Sequence, residues 1–245
     1  MKSRLDKILV EKGLASSRER AQALIMEGKV FVNGMPSPKA GAMVAEDAAI
    51  ELKGEDIPYV SRGGLKLEAA VKHFNISLKD KTAMDVGSST GGFTDCMLQN
   101  GAKKVYCIDV GYGQLAWKLR QDQRIVLIER TNVRYLERNK IPDEIDIAAI
   151  DVSFISLTKV VPAVLEFLKK DGEIIALIKP HFEVGKGEVG KGGIVKDEAK
   201  RLKTVEYVRE SLESLGLETI GVMQSPIAGQ KGNIEFLIYM KKHSA

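Results

Sequence analysis

The sequence lacks most of the features that mark secreted, membrane-spanning or metal-binding proteins. It has only two cysteines, Cys96 and Cys107, which cannot build a disulfide framework. Its longest apolar runs, Ile174–Ile178 and Phe236–Met240, have five residues each, whereas a membrane-spanning helix needs about 20. Residues 1–13 carry charges throughout, unlike the apolar core of a secretion signal. We therefore expect a protein of the reducing cytoplasm that does not act at a membrane.

Histidine is also scarce, and the three histidines, His73, His181 and His243, are widely separated in the sequence. Structural zinc sites are typically built from cysteines and histidines at short, regular spacings. The two cysteines do not provide such a spacing. We therefore predict no metal site.

The length and composition are those of a folded protein with a large core. The 245 residues are 44% hydrophobic and 29% charged, values that are ordinary for globular proteins and unlike those of disordered chains. This length fits a small module beside a domain of about 150–200 residues. The motifs predict the small module at residues 1–55, a linker at residues 56–63 and the large domain at residues 64–245.

The net charge of +4, from 37 basic and 33 acidic side chains, is concentrated at the front of the chain. Residues 1–40 hold eight basic and four acidic side chains, whereas residues 41–245 hold 29 of each. A solvated helix face is one explanation, but clustered positive charge on a small module is also typical of proteins that bind a polyanion. The basic residues of this segment are Lys2, Arg4, Lys7, Lys12, Arg18, Arg20, Lys29 and Lys39.

Helix signals occur twice in the small module. Ser3 and Asp6 resemble a capping box ahead of an apolar stripe that begins at Leu5. Ser16 and Glu19 repeat this device ahead of a second stripe. Each stripe ends at a glycine, which is a usual helix terminator. The pattern predicts two short helices.

Strand signals follow these helices. Val30–Val32 is apolar, and Asn33-Gly34 is typical of a two-residue hairpin turn. Further strand-like stretches lie around Met43 and Ile50. Two helices, a hairpin and short strands form a compact unit.

The string S-S-R-E-R-A-Q-A-L-I-M-E-G-K-V-F-V-N-G at residues 16–34, with Pro38, resembles the small RNA-binding module named after ribosomal protein S4. The resemblance covers about the first 55 residues. It implies that basic side chains on a rigid helix pair bind structured RNA through its shape and phosphates. The side chains that we expect to contact RNA are Arg4, Arg18, Arg20, Lys29 and, at the end of the linker, Arg62.

Strand-like runs alternate with helix-length segments in the rest of the chain. A stretch with glycine and proline at residues 51–59 leads into a predicted helix at about residues 65–74. The alternation that follows predicts an α/β fold with a mostly parallel, doubly wound, Rossmann-like sheet, in which Asn233–Lys241 pairs with Leu217–Met223. The other predicted strands are Thr82–Val86, Val105–Val110, Ile125–Ile128, Ile145–Asp151 and Ile174–Lys179.

A glycine-rich turn follows the first of these strands, where nucleotide-type ligands bind in such sheets. Asp109 lies 22 residues beyond Gly87 at the end of the next strand, where an acidic side chain can hold two ribose hydroxyls. Ser89 stands where a dinucleotide-binding loop requires its second glycine. S-adenosylmethionine has a ribose but no phosphate, so we expect it as the cofactor. The expected cofactor-binding residues are Asp85, Gly87, Ser88, Ser89, Thr90, Gly91, Gly92, Phe93, Asp109 and Val110, while Tyr112 or Trp117 either flanks the adenine or packs in the core.

Four charged residues are expected beside this turn. Asp151 closes one predicted strand, Lys179 closes the next, and Glu235 lies inside the last one. Lys66 lies near the start of the helix after Gly63-Gly64. Because the carboxyl ends of parallel strands face the ligand crevice, we expect the four side chains to converge there, as catalytic groups or as a structural ion-pair cluster.

Two lysines and two carboxylates beside a sulfonium suit methyl transfer to a ribose hydroxyl, which must lose its proton as the methyl group moves. Lys179 is the candidate base. Lys66 and burial favour its neutral form, whereas Asp151 and Glu235 favour its charged form. The alternative is that Lys179 stays charged and stabilises the developing alkoxide, and the sequence leaves both roles open.

Further strings distributed along the whole chain resemble the TlyA family. They are S-R-G-G-L-K-L at residues 61–67, D-V-G-S-S-T-G-G-F-T-D at 85–95, I-D-V-G-Y-G-Q-L at 108–115, A-I-D-V-S-F-I-S at 149–156, L-I-K-P-H-F-E at 177–183 and G-N-I-E-F at 232–236. The resemblance implies an FtsJ-like methyltransferase domain that acts on cytidine 2′-hydroxyls of ribosomal RNA in ribosomal subunits. It also implies a Lys-Asp-Lys-Glu catalytic tetrad at Lys66, Asp151, Lys179 and Glu235. Members are often labelled hemolysins, so a cytolytic protein and an inactive RNA-binding assembly factor are the alternatives.

Two other strings suggest different chemistry. Residues 87–91 satisfy the G-x-S-x-G pattern of a hydrolase nucleophile, with Asp151 and His181 or His243 as triad partners. Residues 185–192 approximate a phosphate-binding loop, but Gly192 replaces the hydroxyl residue that holds magnesium. We expect residues 185–192 to form a basic loop that closes over RNA through Lys186, Lys191 and, just beyond it, Lys196, with a plain surface loop as the alternative.

Overall fold

The computed structural model of the chain describes residues 2–15, 17–26, 28–37, 39–53, 57–185, 189–190 and 192–243. It divides into two compact units, Met1–Asp56 and Ile57–Ala245. The first unit carries the predicted RNA-binding residues other than Arg62, and the second carries the predicted cofactor turn and tetrad.

The first unit packs two helices on short strands. Its core consists of apolar side chains from both helices and the strand after them, including Leu5, Leu9, Leu24, Ile25 and Val30, all of which are at most 1% exposed. Within the described ranges, β1 pairs with β4, and β2 lies between β3 and β5. The elements are β1 Lys2–Arg4, α1 Leu5–Glu11, α2 Arg18–Met26, β2 Val30–Val32, β3 Met35–Pro36, β4 Met43–Ala45 and β5 Ile50–Leu52.

The hairpin predicted at Asn33-Gly34 is confirmed. Asn33 and Gly34 have φ angles of 50° and 79°, as the two central residues of a type I′ turn require, and this turn matches the twist of the strands that it joins. The Asn33 side chain also accepts a hydrogen bond from Ala49 N at 3.0 Å.

The capping box predicted at Ser3 and Asp6 is wrong. Helix α1 has Arg4 at its N-cap position and no side-chain cap, and Ser3 Oγ instead donates to Glu46. The Asp6 carboxylate is taken up by charge-assisted hydrogen bonds from Arg4 and Arg18, which are stronger than a bond from a backbone amide. The second predicted box rests on Ser16, which lies outside the described residues.

The second unit has the predicted doubly wound architecture. In the described part of the chain its strands form one sheet in the order β11-β12-β10-β9-β6-β7-β8, in which β12 runs antiparallel to its neighbours β11 and β10 and the other neighbouring pairs are parallel. The strands are β6 Thr82–Val86, β7 Lys104–Ile108, β8 Ile125–Ile128, β9 Ile145–Ile150, β10 Leu168–Ile178, β11 Leu217–Gln224 and β12 Phe236–Lys242.

Helices cover both faces of this sheet. Residues of α6 and α8 pack in one apolar cluster, and residues of α3 and α4 pack in another, which includes Cys96 and Cys107 as free thiols. Neighbouring residues of β6 divide between the two clusters, as Ala83 and Met84 illustrate. The helices are α3 Gly63–His73, α4 Gly92–Gln99, α5 Trp117–Arg120, α6 Leu157–Leu165, α7 Pro180–Glu183 and α8 Glu198–Glu213, with 3-10 turns at Val133–Tyr135, Arg138–Lys140 and Gln230–Gly232.

Two boundaries differ from the prediction in ways that matter for the site. Strand β10 begins at Leu168, six residues before the predicted start, and its register with β9 shifts between Leu168 and Glu173. Glu235 precedes β12 instead of lying inside it, and its backbone carbonyl accepts a hydrogen bond from Ser225 N.

Asp85 is fully buried at the end of β6, where it holds the start of α4. Its Oδ2 accepts hydrogen bonds from Thr94 N at 2.9 Å and from Thr94 Oγ1 at 2.5 Å. Burial is the main reason why the pKa of Asp85 rises to about 7, and the charge of Asp151 adds to the rise. The folded chain therefore holds this proton over a pH range in which the unfolded chain has released it.

This raised pKa predicts a pH-dependent loss of stability. Because the pKa of Asp85 is raised from 3.8 to about 7, its contribution to the free energy of unfolding is greatest at low pH and falls between about pH 4 and pH 7. We expect Asp85→Asn to remove that fall, which is at most about 1.4 kcal/mol per pH unit. Denaturant unfolding from pH 4 to 8 measures it, with the exposed Asp80→Asn as control. An Asp85→Asn curve parallel to that of the parent would contradict the prediction.

Candidate active site

The glycine-rich turn follows β6 and passes against the end of β9. Gly87 has a φ angle of +85°, and a Cβ at this position would lie 2.4 Å from the carbonyl oxygen of Asp151. Gly91 has a φ angle of +97°, and its Cβ would lie 2.3 Å from Leu119 Cδ1. Both positions therefore require glycine.

Asp109 ties this turn to the end of β7. Its two carboxylate oxygens accept hydrogen bonds at 2.7 Å from Ser89 N and Gly111 N. Ser89 Oγ donates to Gln114 Oε1 at 3.2 Å, which braces the turn from the same side. The residue expected to hold a ribose therefore also sets the shape of the loop, and each carboxylate oxygen keeps a second lone pair for a ligand.

The other predicted cofactor residues differ in their exposure. Ser88 and Phe93 are buried, and Phe93 packs in the core, so that only its backbone can face a ligand. Ser89 and Val110 are exposed, while Thr90 is half-buried. Gly92 packs tightly, because a Cβ there would lie 2.3 Å from Ser61 Oγ.

Tyr112 and Trp117 are exposed rather than packed in the core. Their side chains are 67% and 73% accessible, so core packing is wrong for both. The guanidinium of Arg130 lies over the Tyr112 ring at 4.2 Å from its centroid.

The four predicted catalytic residues form two ion pairs. Lys66 Nζ lies 2.6 Å from Glu235 Oε2, and both residues are at most 9% exposed. Lys179 Nζ lies 2.6 Å from Asp151 Oδ1 and donates to Ser153 Oγ at 3.0 Å. Each charge that burial would penalise thus has an opposite charge in contact with it.

The register of the sheet brings both pairs to one edge. Val86 pairs with Ile150, so that Gly87 and Asp151 follow side by side, and Ile178 pairs with Phe236, next to Lys179 and Glu235. The pKa of His181 is lowered, mainly by burial and further by the positive charges of Lys179 and Lys66, so His181 lies close to both lysines. The glycine turn, two ammonium groups and two carboxylates therefore share the carboxyl edge of the sheet, an arrangement suited to moving a proton and stabilising an oxyanion.

The sequence did not reveal the residues that support this arrangement. Ser153 contacts Lys179, and Glu183 Oε1 accepts from Leu157 N at 2.9 Å, which joins α7 to the start of α6. Burial raises the pKa of Glu183. Glu183 occurs in the string K-P-H-F-E, which could have drawn attention to it, whereas a lone loop serine such as Ser153 carries no signal.

The predicted RNA-binding residues of the first unit differ in exposure. Arg4 and Arg18 have side chains that are 47% and 54% exposed and both pair with Asp6. Arg20 and Lys29 are half-buried. In the second unit, Arg62 is exposed at the N-cap position of α3.

The rival hydrolase interpretation has no support in the geometry. Ser89 Oγ donates to Gln114, and His243 Nε2 lies 3.4 Å from Glu218, so no serine–histidine pair forms among these residues. In the phosphate-loop string, Lys186, Gly187, Glu188 and Lys191 lie outside the described residues. Lys196, also predicted to close over RNA, is exposed.

No group of three or more histidine, cysteine, aspartate or glutamate side chains among the described residues is placed to hold a metal ion. None of the described helices combines the length and apolar character that crossing a bilayer requires.

Comparison with known proteins assigns both parts of the chain. Residues 59–242 match the FtsJ-like methyltransferase family, and residues 3–48 match the S4 domain. The 16S/23S rRNA (cytidine-2′-O)-methyltransferase TlyA of Mycobacterium tuberculosis is 42% identical over 98% of this chain and 90% of its own length. YqxC of Bacillus subtilis, provisionally named an rRNA methyltransferase, is 48% identical over 98% of this chain and 85% of its own.

A solved structure agrees with these matches. A protein from Streptococcus thermophilus, provisionally named a hemolysin, superimposes with a TM-score of 0.80 at 44% identity, covering 100% of this chain and 90% of its own. The match to the family spans three quarters of the sequence, and the relatives match nearly all of it. This chain therefore belongs to the FtsJ-like methyltransferase family.

Proposed function

We propose that this chain transfers a methyl group from S-adenosylmethionine to the ribose 2′-hydroxyl of cytidine in ribosomal RNA. The observation that carries the proposal is the presence of two ion pairs, Lys66–Glu235 and Lys179–Asp151, at the edge where the glycine turn lies. The Mycobacterium tuberculosis relative named for this reaction is 42% identical over nearly the whole chain. Its name supplies the substrate class, and the ion pairs supply a chemical basis for it.

The residues around the glycine turn fit S-adenosylmethionine. When bound, it supplies an electrophilic methyl group on a positively charged sulfur. Asp109 can accept from two ribose hydroxyls, and the backbone of residues 87–93 can line the methionine end. Asp85 Oδ1 is a buried acceptor with no hydrogen-bond partner among the described residues, which suits an ammonium group. Ser89 in place of a second glycine suits a ligand without a pyrophosphate.

Lys179 and Asp151 handle the proton of the ribose hydroxyl. A ribose hydroxyl is too weakly acidic to ionise at neutral pH, so a positioned group must accept its proton or stabilise the alkoxide. Lys179 Nζ and Asp151 Oδ1 form an ion pair at 2.6 Å, and as an ammonium group Lys179 would stabilise the alkoxide. Transfer of the ammonium proton to Asp151 would instead leave a neutral amine that accepts the hydroxyl proton.

Lys66 and Glu235 fix the other side of the site. Glu235 is 2% exposed, and its side chain lies against Gly229, where a Cβ would come within 1.9 Å of Oε1. Loss of either partner would leave an unpaired buried charge, which typically costs about 3–5 kcal/mol. The pair therefore fixes α3 against the loop before β12 as well as adding charge to the site.

The first unit provides the grip on RNA. An S4 domain with clustered basic side chains suits ribosomal RNA within ribosomal subunits, and we propose that the reaction takes place in the cytoplasm. Binding there depends mainly on phosphate contacts and shape rather than on reading of bases.

Transfer of labelled methyl from S-adenosylmethionine to each purified ribosomal subunit tests the function. The proposal predicts labelled RNA with alkali-resistant linkages at cytidines. Binding of subunits without transfer would favour an inactive assembly factor. Lysis of erythrocytes by the purified chain, without transfer, would favour the hemolysin alternative and overturn the proposal.

Replacement of Lys179 should abolish the chemical step. We expect Lys179→Ala to lower kcat at least about 100-fold, the usual effect of losing a general base or charge stabiliser, with the Kd for S-adenosylmethionine changed less than about twofold. Single-turnover methyl transfer and calorimetry measure the two quantities. The exposed Lys170→Ala should keep full activity, and normal turnover in Lys179→Ala would refute the role of the tetrad.

Replacement of Asp109 should weaken cofactor binding. A carboxylate that accepts from ligand hydroxyls contributes about 1.5–3 kcal/mol for a charged hydrogen bond, so Asp109→Ala should raise the Kd for S-adenosylmethionine roughly 10- to 100-fold. Asp109→Asn, which keeps one acceptor for the loop, is the control for loop shape. Its Kd for S-adenosylmethionine should lie between that of the parent and that of Asp109→Ala. Unchanged affinity in Asp109→Ala would remove Asp109 from the cofactor site.

Replacement of two arginines of α2 should change the salt dependence of RNA binding. Each lost phosphate contact lowers the slope of log K against log salt by about 0.7–0.9. Arg18→Gln with Arg20→Gln should therefore weaken subunit binding and flatten this slope by up to about 1.8. The pair of exposed lysines Lys159→Gln and Lys170→Gln is the charge-matched control. A slope equal to that of the parent would exclude these arginines from the interface.

A further inference from the structure

One carboxylate of the first unit is completely buried beneath two arginines. Asp6 is 0% exposed, whereas the Arg4 and Arg18 side chains above it are 47% and 54% exposed. Arg4 donates from Nε to Asp6 Oδ1 at 3.0 Å and from Nη2 to Oδ2 at 2.8 Å, and Arg18 Nη2 donates to Oδ2 at 3.2 Å. Gln22 Nε2 donates to the same oxygen at 3.0 Å. These contacts hold the pKa of Asp6 well below its usual range.

The arrangement leaves a net positive charge and free donors at the surface. One carboxylate cannot neutralise two guanidinium groups, so the three residues together carry one positive charge. A guanidinium has five N–H donors, of which Asp6 takes two from Arg4 and one from Arg18. The remaining donors belong to side chains that are about half exposed, a geometry that suits bidentate binding of phosphate.

The entropy that arginine side chains lose on binding explains why a buried acid would help a basic surface to bind phosphate. Free arginine side chains lose about 2 kcal/mol of rotamer entropy when a ligand fixes them. Asp6 fixes both guanidinium groups before RNA arrives, and the two side chains come from different elements, β1 and α2. Preorganisation of this kind raises affinity without adding contacts.

We propose that Asp6 is a positioning residue that presets Arg4 and Arg18 as a two-guanidinium site for a backbone phosphate of RNA. The proposal rests on the proposed function, since it assumes that the first unit binds ribosomal RNA. It adds which arginines form one phosphate site and which acidic residue organises them.

The direction in which Asp6→Asn changes RNA binding distinguishes this proposal from simple electrostatic attraction. Asp6→Asn removes a negative charge from a surface that binds a polyanion, so long-range attraction alone predicts tighter binding. A positioning role of Asp6 predicts weaker binding, because the two arginines would lose their fixed arrangement. We expect Asp6→Asn in the full chain to weaken binding to purified ribosomal subunits about 5- to 20-fold, and to raise the KM for subunits by the same factor at unchanged kcat. The control, Glu11→Gln, removes the same charge from an exposed pair with Lys7 and should bind equally or more tightly.

A second substitution tests the site with Asp6 in place. Gly41 lies beside Arg4, and a Cβ there would be 3.4 Å from Arg4 Nη1. Gly41→Glu puts a competing carboxylate within reach of that guanidinium, whereas Gly41→Gln has the same size without the charge. We expect Gly41→Glu to bind subunits at least fivefold more weakly than Gly41→Gln at low salt, with a flatter salt dependence.

The outcomes separate failure of this inference from failure of the proposed function. A parent chain that neither binds nor methylates subunits would overturn the proposed function. With an active parent, an Asp6→Asn chain that keeps its thermal unfolding transition and binds as tightly as the parent would overturn the positioning role. If Asp6→Asn does not fold, the two Gly41 variants test the proposal. Equal binding of subunits by Gly41→Glu and Gly41→Gln would overturn the proposed phosphate site.

Discussion

The proposed chemistry depends on keeping two ammonium groups and two carboxylates together where water is largely excluded. Lys66 and Glu235 are nearly inaccessible, and Lys179 is only 11% exposed as a side chain. Isolated charges at such positions would be costly, so each must contact an opposite charge. The pairing of β10 with β12 and of β6 with β9 brings the partners to one edge. A glycine at position 87 then lets the glycine-rich turn pass against Asp151.

The same physical device occurs in each of the two units. In the second unit, Asp151 and Glu235 hold the two lysines of the proposed tetrad, and in the first unit Asp6 holds two arginines at the surface. In both units an acid fixes cations that would otherwise sample many rotamers. The difference lies in exposure. The lysines are enclosed and suited to acting on a bound hydroxyl, whereas the arginines are half exposed and suited to gripping a phosphate.

The parts of this structure that could be predicted are those in which residue type and local geometry agree. Strand β6 has the predicted limits, Thr82 to Val86, because an apolar run ends there at a glycine turn. The meeting of Lys179 with Asp151 could be predicted because both residues stand at the ends of apolar strands, where burial demands partners. The cap at Ser3 could not, because the sequence does not reveal that Arg4 and Arg18 compete for Asp6.

Other errors have similar causes. The sequence pattern predicts Glu235 inside a strand, but its carbonyl accepts a hydrogen bond from Ser225 N. Ser225 lies ten residues earlier in the chain, and no local pattern encodes this contact. Tyr112 and Trp117 looked like core residues because aromatic residues usually are, yet Tyr112 lies exposed on the loop after β7 and Trp117 lies exposed at the start of α5. Ser153 and Gln114 act through side-chain contacts in loops, and Glu183 acts from the four-residue helix α7, so none of them belongs to a segment long enough to show a periodicity.

The central claim is that this arrangement acts on a ribose oxygen rather than on a base. Complete nuclease digestion of ribosomal RNA methylated by the purified chain, followed by mass spectrometry of the nucleosides, tests it most directly. The account predicts that the transferred methyl group appears in 2′-O-methylcytidine, with a fragment in which the mass increase stays on the sugar. A methyl group that remains on the cytosine base after loss of the sugar would contradict it.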